Sequence, residues 1–224
     1  MGILKEGQVA MVRIKICGIT RLQDAIAAAE AGADAIGLVF AKSPRRVSVR
    51  QARQIVAVLP PFVSAVGVFV NTPPAAVLRT AGQVGLAEVQ LHGDEPPEIV
   101  ERLRAVRVIK ALTVRDRSFV DRLLAFGAVG VAGIVLDAFS RMARGGTGRR
   151  FDWDLAAAVK QMIDTDAVPP LILSGGLTPE NVRAGLRRLR PWGVDVSSGV
   201  EDEPGIKSAE KMNRFVAAVR DASK

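Results

Sequence analysis

Apolar residues in this chain fall into two alternating kinds of segment. Short runs rich in Val and Ile give way to longer Ala-, Leu- and Arg-rich stretches whose apolar positions recur every three or four residues. The short runs, 12–17, 35–40, 64–70, 87–91, 106–112, 133–137, 170–174 and 194–197, predict strands. The stretches between and after them predict helices near 21–31, 48–59, 74–82, 96–105, 117–126, 153–164, 179–189 and 206–221. Thr178 reads as an N-cap with Pro179 at the first helical position, and Pro73-Pro74 and Pro96-Pro97 open two further helices. Strand–helix alternation of this kind implies parallel strands joined by right-handed crossovers. Between residues 17 and 197 the strand ends recur about every 26 residues, which suits a closed (β/α)8 TIM barrel of minimal size, an α/β fold. An open doubly wound sheet is the rival. Residues 1–10 lack the pattern and read as a disordered N-terminal extension, with 11–224 forming a single barrel domain.

Composition narrows the function classes. The mean hydropathy is +0.22, but the longest apolar run, Ala125–Leu136, spans 12 residues and contains three glycines. A membrane helix needs about 18. Residues 1–10 hold no secretory apolar core, so the cytoplasm is the expected compartment. One cysteine and one histidine exclude an intrachain disulfide and a Cys/His zinc site. Lys and Arg number 31 against 23 Asp and Glu, a net charge of +8 that attracts anions: nucleic acid, an anionic membrane or a phosphorylated metabolite. The arginines are scattered over outer helical positions such as Arg50, Arg53, Arg102, Arg104, Arg183 and Arg187, with no tyrosine and no aromatic-interleaved basic stretch. That distribution argues against a nucleic-acid binder.

In a barrel of this kind chemistry sits where strands end and βα loops begin. Alternation puts Lys15 and Cys17 on one face of the first strand, toward the axis, with Ile14 and Ile16 toward the helices. A lone cysteine is usually a small buried hydrophobe, but at this strand end it can also serve as a base or nucleophile. Asp137 ends the apolar run Gly-Ile-Val-Leu, a position that is costly unless the carboxylate is solvated, paired or functional. Strand six lies across the barrel from strands one and two, so Asp137 and Cys17 can flank a ligand as acid and base. That arrangement suits an isomerase moving a proton between neighbouring carbons.

Ser174-Gly175-Gly176 after strand seven and Ser197-Ser198-Gly199 after strand eight read as a phosphate site, because glycine lets backbone N–H groups approach an anion. Lys42-Ser43-Pro44-Arg45-Arg46 is either a solvated basic loop or a guanidinium fork for a carboxylate. His92 follows Gln90 on one face of strand four and reads equally as a substrate contact or a structural group. The same alternation turns Lys15, Glu88, Gln90, Lys110 and Asp195 toward the interior, with Lys15 paired to Asp195 where strands one and eight adjoin.

Taken in order, these segments resemble the phosphoribosylanthranilate isomerase family. The resemblance is carried by Lys-Ile-Cys-Gly-Ile-Thr at 15–20, Gly-Leu-Val-Phe at 37–40, Ser-Pro-Arg at 43–45 and Val-Gly-Val-Phe-Val-Asn at 66–71. It continues through Val-Gln-Leu-His-Gly at 89–93, Leu-Asp at 136–137, Gly-Gly-Thr-Gly at 145–148, Phe-Asp-Trp at 151–153 and Leu-Ser-Gly-Gly-Leu at 173–177. Pro-Glu-Asn-Val at 179–182 and Val-Asp-Val-Ser-Ser-Gly-Val-Glu at 194–201 complete it. It implies a cofactor-free, metal-free barrel that performs an Amadori rearrangement in tryptophan biosynthesis on a small phosphorylated substrate carrying a carboxylate. Neither nucleic acid nor membrane is implied as a partner, and homodimer and monomer both stay open.

By resemblance, Asp137 is the general acid and Cys17 the general base. Arg45, or Arg46 beside it, meets the anthranilate carboxylate. Gly175, Gly176, Ser198 and Gly199 bind phosphate, and His92 and Asp195 belong to the substrate-binding set. Work near neutral pH implies an acid that keeps its proton and a thiol that loses it more readily than usual. The isomerase of histidine biosynthesis is the nearest rival, but that family uses aspartates at the ends of strands one and five. Here those strands end in Cys17 and Leu112.

Overall fold

The structure, a computed structural model, describes residues 11–114, 118–137 and 168–222. The expected extension at 1–10, the glycine-rich stretch 144–148 and the helix expected near 153–164 lie outside the described residues.

Eight parallel strands close into a barrel in sequence order: β1 (Arg13–Cys17), β2 (Ala35–Val39), β3 (Ser64–Phe69), β4 (Glu88–Leu91), β5 (Arg107–Thr113), β6 (Gly133–Asp137), β7 (Leu171–Ser174) and β8 (Gly193–Val196). Alternation along each strand builds two apolar layers. Ile14, Ile16, Ile36, Leu38, Val89, Leu91, Ile134, Val194 and their like point outward and are buried beneath the helices. Val66, Ile109, Ala111, Val135 and Ile172 fill the barrel itself. The described helices are α1 (Leu22–Ala31), α2 (Val49–Val56), α3 (Pro74–Val84), α4 (Phe119–Ala128), α5 (Val182–Leu189) and α6 (Ala209–Ala222). In α5 the buried residues Val182, Gly185, Leu186 and Leu189 form one stripe, leaving the arginines to solvent. Ser48 caps α2 in a capping box with Gln51, an arrangement worth about 1 kcal/mol.

The seam where β8 meets β1 carries a charge pair. Lys15 lies opposite Asp195 in the register, and Lys15 Nζ donates to Asp195 Oδ1 at 2.8 Å with both side chains buried, as alternation predicts.

Four local expectations need correction. The segment 96–105 forms two 3-10 turns, Pro97–Ile99 and Glu101–Leu103, rather than an α-helix. Its N–H groups reach carbonyls three residues back, and a run opened by two prolines with so few buried side chains lacks the apolar stripe that sustains a longer helix. Thr178 does not cap α5 directly. It closes a turn in which the Thr178 carbonyl accepts from the Asn181 and Val182 N–H groups, and the helix begins at Val182. Residues 206–207 are not helical but form β10 (Ile206–Lys207), antiparallel to β9 (Glu201–Glu203) across the Pro204-Gly205 turn. Lys110, expected inside the barrel, shares its side of β5 with Val108 and Leu112 and faces α4, because β5 is apolar on both faces and its inward set is Ile109 and Ala111.

At the strand N-termini, the end away from the βα loops, Ala35, Val66, Ile109, Ile172, Arg13, Glu88 and Arg107 are among the residues lining a cavity of about 300 Å³. Phe62 and Trp192 stand at its rim, 99% and 53% exposed.

Removing Lys15 alone strands the Asp195 charge in the interior. Lys15→Met should therefore cost about 3–5 kcal/mol in urea unfolding, and Lys15→Met/Asp195→Leu should recover most of that loss.

Candidate active site

At the carboxyl end of the barrel, Cys17 sits on the axis side of β1, and its register partner on β2 is Gly37. A Cβ at Gly37 would lie 2.6 Å from Cys17 Sγ, so the thiol occupies room that any other residue would fill. The next residue, Gly18, has φ +78 and lies directly under the Arg45 side chain, where a Cβ would meet Arg45 Cδ at 2.5 Å. The strand end thus turns away immediately after the cysteine and lets an arginine cross above it.

That arginine is held in place. Arg45 Nε and Nη2 donate to the two oxygens of Glu201 at 2.7 and 2.5 Å, a bidentate fork. Glu201 Oε1 also accepts from Lys207 Nζ at 2.8 Å, and Lys207 Nζ donates to the Ser197 carbonyl at 3.1 Å. Burial pushes the Glu201 carboxyl up, but the Arg45 and Lys207 hydrogen bonds outweigh it and hold it below the usual carboxylate range. The hairpin β9–β10 is stapled to the loop after β1, with the Thr20 hydroxyl donating to the Gly205 carbonyl at 2.5 Å. Arg46, by contrast, is exposed.

The thiol does not follow the expected shift. Burial pushes Cys17 up, and although Lys15 and Lys207 pull it down, burial prevails. Lys15 itself stays above its ordinary value: burial lowers it, and Asp195 and Cys17 more than compensate. The cysteine side therefore sets a buried thiol, pushed up, beside two buried lysines, of which Lys207 is itself pushed down by burial.

Across the barrel Asp137 ends β6. His92 Nε2 lies 3.3 Å from Asp137 Oδ2, and the Gln90 amide nitrogen donates to His92 Nδ1 at 2.9 Å. With the Gln90 amide oriented in this way its nitrogen donates, so Nδ1 accepts and the neutral ring carries its proton on Nε2, facing the carboxylate. Gln90 Oε1 is buried without a hydrogen-bond partner among the described residues.

The two expected phosphate loops lie against each other. Gly175 and Gly176 have φ +91 and +62, which a side chain would strain. Gly199 packs so closely on the Leu177–Thr178 backbone that a Cβ would overlap it. Ser198 and Gly199 begin a 3-10 turn, Ser198–Val200. Asp195 lies beneath, with Oδ1 taken by Lys15 and Oδ2 contacted at 3.4 Å by the Ser174 hydroxyl.

The structure thus brings Cys17, Arg45, Asp195, Ser198 and Gly199 together on one side of the mouth and His92 and Asp137 on the other. Sequence reasoning missed the organising roles of Glu201 and Lys207. The Pro204-Gly205 turn was the available signal, since it makes a hairpin that folds Lys207 back onto Glu201. Nothing in the pattern singled out Glu95, which proves to be the buried partner of Lys110 at 2.6 Å.

Residues 14–218 match the family model described as N-(5'phosphoribosyl)anthranilate (PRA) isomerase. A relative from Geobacter sulfurreducens named N-(5'-phosphoribosyl)anthranilate isomerase is 53% identical over 207 residues, covering 92% of this chain and 97% of the relative. A crystal structure of phosphoribosyl anthranilate isomerase in complex with reduced 1-(o-carboxyphenylamino)-1-deoxyribulose 5-phosphate superimposes with a TM-score of 0.82 at 43% identity, covering 94% and 100% of the two chains. A crystal structure of mutually generated monomers of the dimeric phosphoribosylanthranilate isomerase from Thermotoga maritima gives 0.80 at 41% identity over 93% and 98%.

Because Cys17 is the single cysteine and its thiol is pushed up, alkylation by iodoacetamide reports it directly. A thiolate attacks, so the rate should rise with pH through a midpoint above the ordinary ~8.5. A midpoint below that value would mean that the ammonium groups, not burial, dominate.

Proposed function

Because the chain belongs to the N-(5'-phosphoribosyl)anthranilate isomerase family, we propose that Cys17 is the general base and Asp137 the general acid of the reaction it catalyses. That reaction is the Amadori rearrangement of N-(5-phosphoribosyl)anthranilate to 1-(2-carboxyphenylamino)-1-deoxyribulose 5-phosphate, the isomerase step of tryptophan biosynthesis. The observation that carries the proposal is the placing of the two groups at the ends of β1 and β6, on facing sides of a closed barrel.

Asp137 gives its proton to the ribose ring oxygen as the bond from that oxygen to C1′ breaks, and the anilino nitrogen lone pair forms the C1′=N Schiff base. Cys17, as thiolate, takes the proton from C2′. The released electron pair makes the C1′=C2′ bond of an enolamine and neutralises the nitrogen. Protonation at C1′ and loss of the C2′ hydroxyl proton then give the ketone. Both transfers are proton transfers, so the chemistry calls for no redox or metal cofactor. Lys15 and Lys207 oppose the burial that pushes the Cys17 thiol up. They favour the thiolate form that the second step needs.

In this reading Arg45, held by Glu201 through two of its nitrogens, meets the anthranilate carboxylate with its remaining edge. Gly175, Gly176, Ser198 and Gly199 take the phosphate, and His92 and Asp195 complete the substrate-binding set. The substrate is a biosynthetic intermediate, so the compartment in this reading is the cytoplasm.

Of the two oligomeric states, an exposed Phe62 beside a cavity of about 300 Å³ favours a homodimer through the strand N-terminal face. Light scattering should give twice the chain mass for the parent and the single mass for Phe62→Glu; a monomeric parent would remove this reading.

Cys17→Ala and Asp137→Asn should each lower kcat about 100-fold or more with folding intact. Arg45→Ala should mainly raise KM. Steady-state kinetics on phosphoribosylanthranilate decides: near-parental turnover in either of the first two removes that role, and an unchanged KM in the third moves the carboxylate contact elsewhere.

A further inference from the structure

One buried ion pair has no part in the mechanism so far. Lys110 is 0% exposed on the outer side of β5, with its ammonium 5.5 Å from the centre of the Phe126 ring. An ammonium there is costly unless its protons are all accepted. Lys110 Nζ donates to Glu95 Oε2 at 2.6 Å, to the Gly93 carbonyl at 2.6 Å and to the Leu91 carbonyl at 3.3 Å, three acceptors for three protons. Glu95 is equally committed. Its Oε2 also accepts from the Gly93 N–H at 2.9 Å, and its Oε1 accepts from the Asn71 N–H at 2.8 Å. Burial pushes the Glu95 carboxyl up, yet the hydrogen bond and charge of Lys110 outweigh it and hold the group below the ordinary carboxylate range.

Three of these bonds straddle one residue. Leu91 and Gly93 are the chain neighbours of His92, whose own N–H donates to the Phe69 carbonyl at 2.8 Å. The ion pair grips the carbonyl before His92 and both the carbonyl and the amide after it. Asn71, at φ +48, closes the same loop by accepting from the Asp94 N–H at 2.8 Å. Beyond this clamp the ring reaches Gln90 at 2.9 Å and Asp137 at 3.3 Å. Two apolar side chains would fill the same volume in the core. What the charged pair adds is backbone geometry at 91–93.

We propose that Lys110 and Glu95 are positioning residues for the acid step: by clamping the backbone on both sides of His92 they hold its ring, in one tautomer, against the Asp137 carboxylate. This rests on the reading of Asp137 as general acid.

His92 is the single histidine, so its ring nitrogens give unambiguous 15N signals. At mildly alkaline pH and without substrate, the parent should show one dominant Nε2–H tautomer. Lys110→Met/Glu95→Gln removes both charges together, leaving neither alone in the interior. In that variant the ring signals should move toward tautomer averaging, kcat should fall about tenfold or more, and KM should stay within about twofold. In a His92→Ala background the same two changes should lower kcat no further, because the clamp acts only through that ring. If the double variant does not fold, Lys110→Leu/Glu95→Gln, which likewise leaves neither charge alone, is read by the same measurements. A folded variant with parental kcat and ring signals, or a kcat loss undiminished in the His92→Ala background, overturns the proposal. Full turnover by Asp137→Asn would instead remove the acid assignment, and the ring signals would still report on the clamp.

Discussion

The barrel closes on an ion pair 180 residues apart in the chain. Lys15 of the first strand and Asp195 of the last meet at 2.8 Å, facing each other across the final strand pairing. Such a pair is an expensive way to fill a core, since both charges leave water. What it supplies is register. A slip of one residue would turn Lys15 toward the helices and take Cys17 off the axis with it. Two residues further along each strand stand Cys17 on one side of the seam and Ser197 on the other. The same contact therefore places the thiol and the loop Ser197–Gly199. The lysine also stands next to the thiol, where it opposes the effect of burial.

Two more buried charge clusters divide the mouth. On the cysteine side, Glu201 gathers Arg45 and Lys207 and ties the hairpin β9–β10 to the loops after β1 and β2. On the aspartate side, Glu95 and Lys110 fix the loop after β4 and, through His92, face Asp137. Each cluster serves loops rather than strands. The apolar layers already hold the strands, whereas loops have polar backbone groups that need partners once buried. An acid and a base that act on adjacent atoms of one substrate must stay apart from each other. Building them on facing strands with separate polar supports achieves that separation.

Alternation carried most of the fold. All eight strands were legible because each run is short, β-branched and bounded by a helical stripe, and their observed ends lie within a residue or so of the expected positions. Cys17 and Asp137 stood out because polar residues at apolar strand ends need a reason. Parity failed at Lys110: in Val-Ile-Lys-Ala-Leu both faces of the strand are apolar, so periodicity cannot say which side the lysine takes. Glu95 lies outside any periodic segment, Lys207 falls at the start of the helix predicted over 206–221, and only tertiary contact gives either its meaning. Residues 206–207 followed a turn signal that was outweighed by the helical pattern downstream. The direction of the Cys17 shift was also out of reach, since it depends on how deeply the thiol is buried against two ammonium groups and not on which residues neighbour it in the chain.

The central claim is that an acid on β6 opens the sugar ring before a base on β1 takes the C2′ proton. Borohydride trapping of the open-chain Schiff base tests that order directly. Incubated with phosphoribosylanthranilate and the reductant, the Cys17→Ala protein should accumulate the reduced open-chain amine. Asp137→Asn should yield no more of it than substrate alone. Equal trapping by the two variants, or trapping by Asp137→Asn only, would contradict the account.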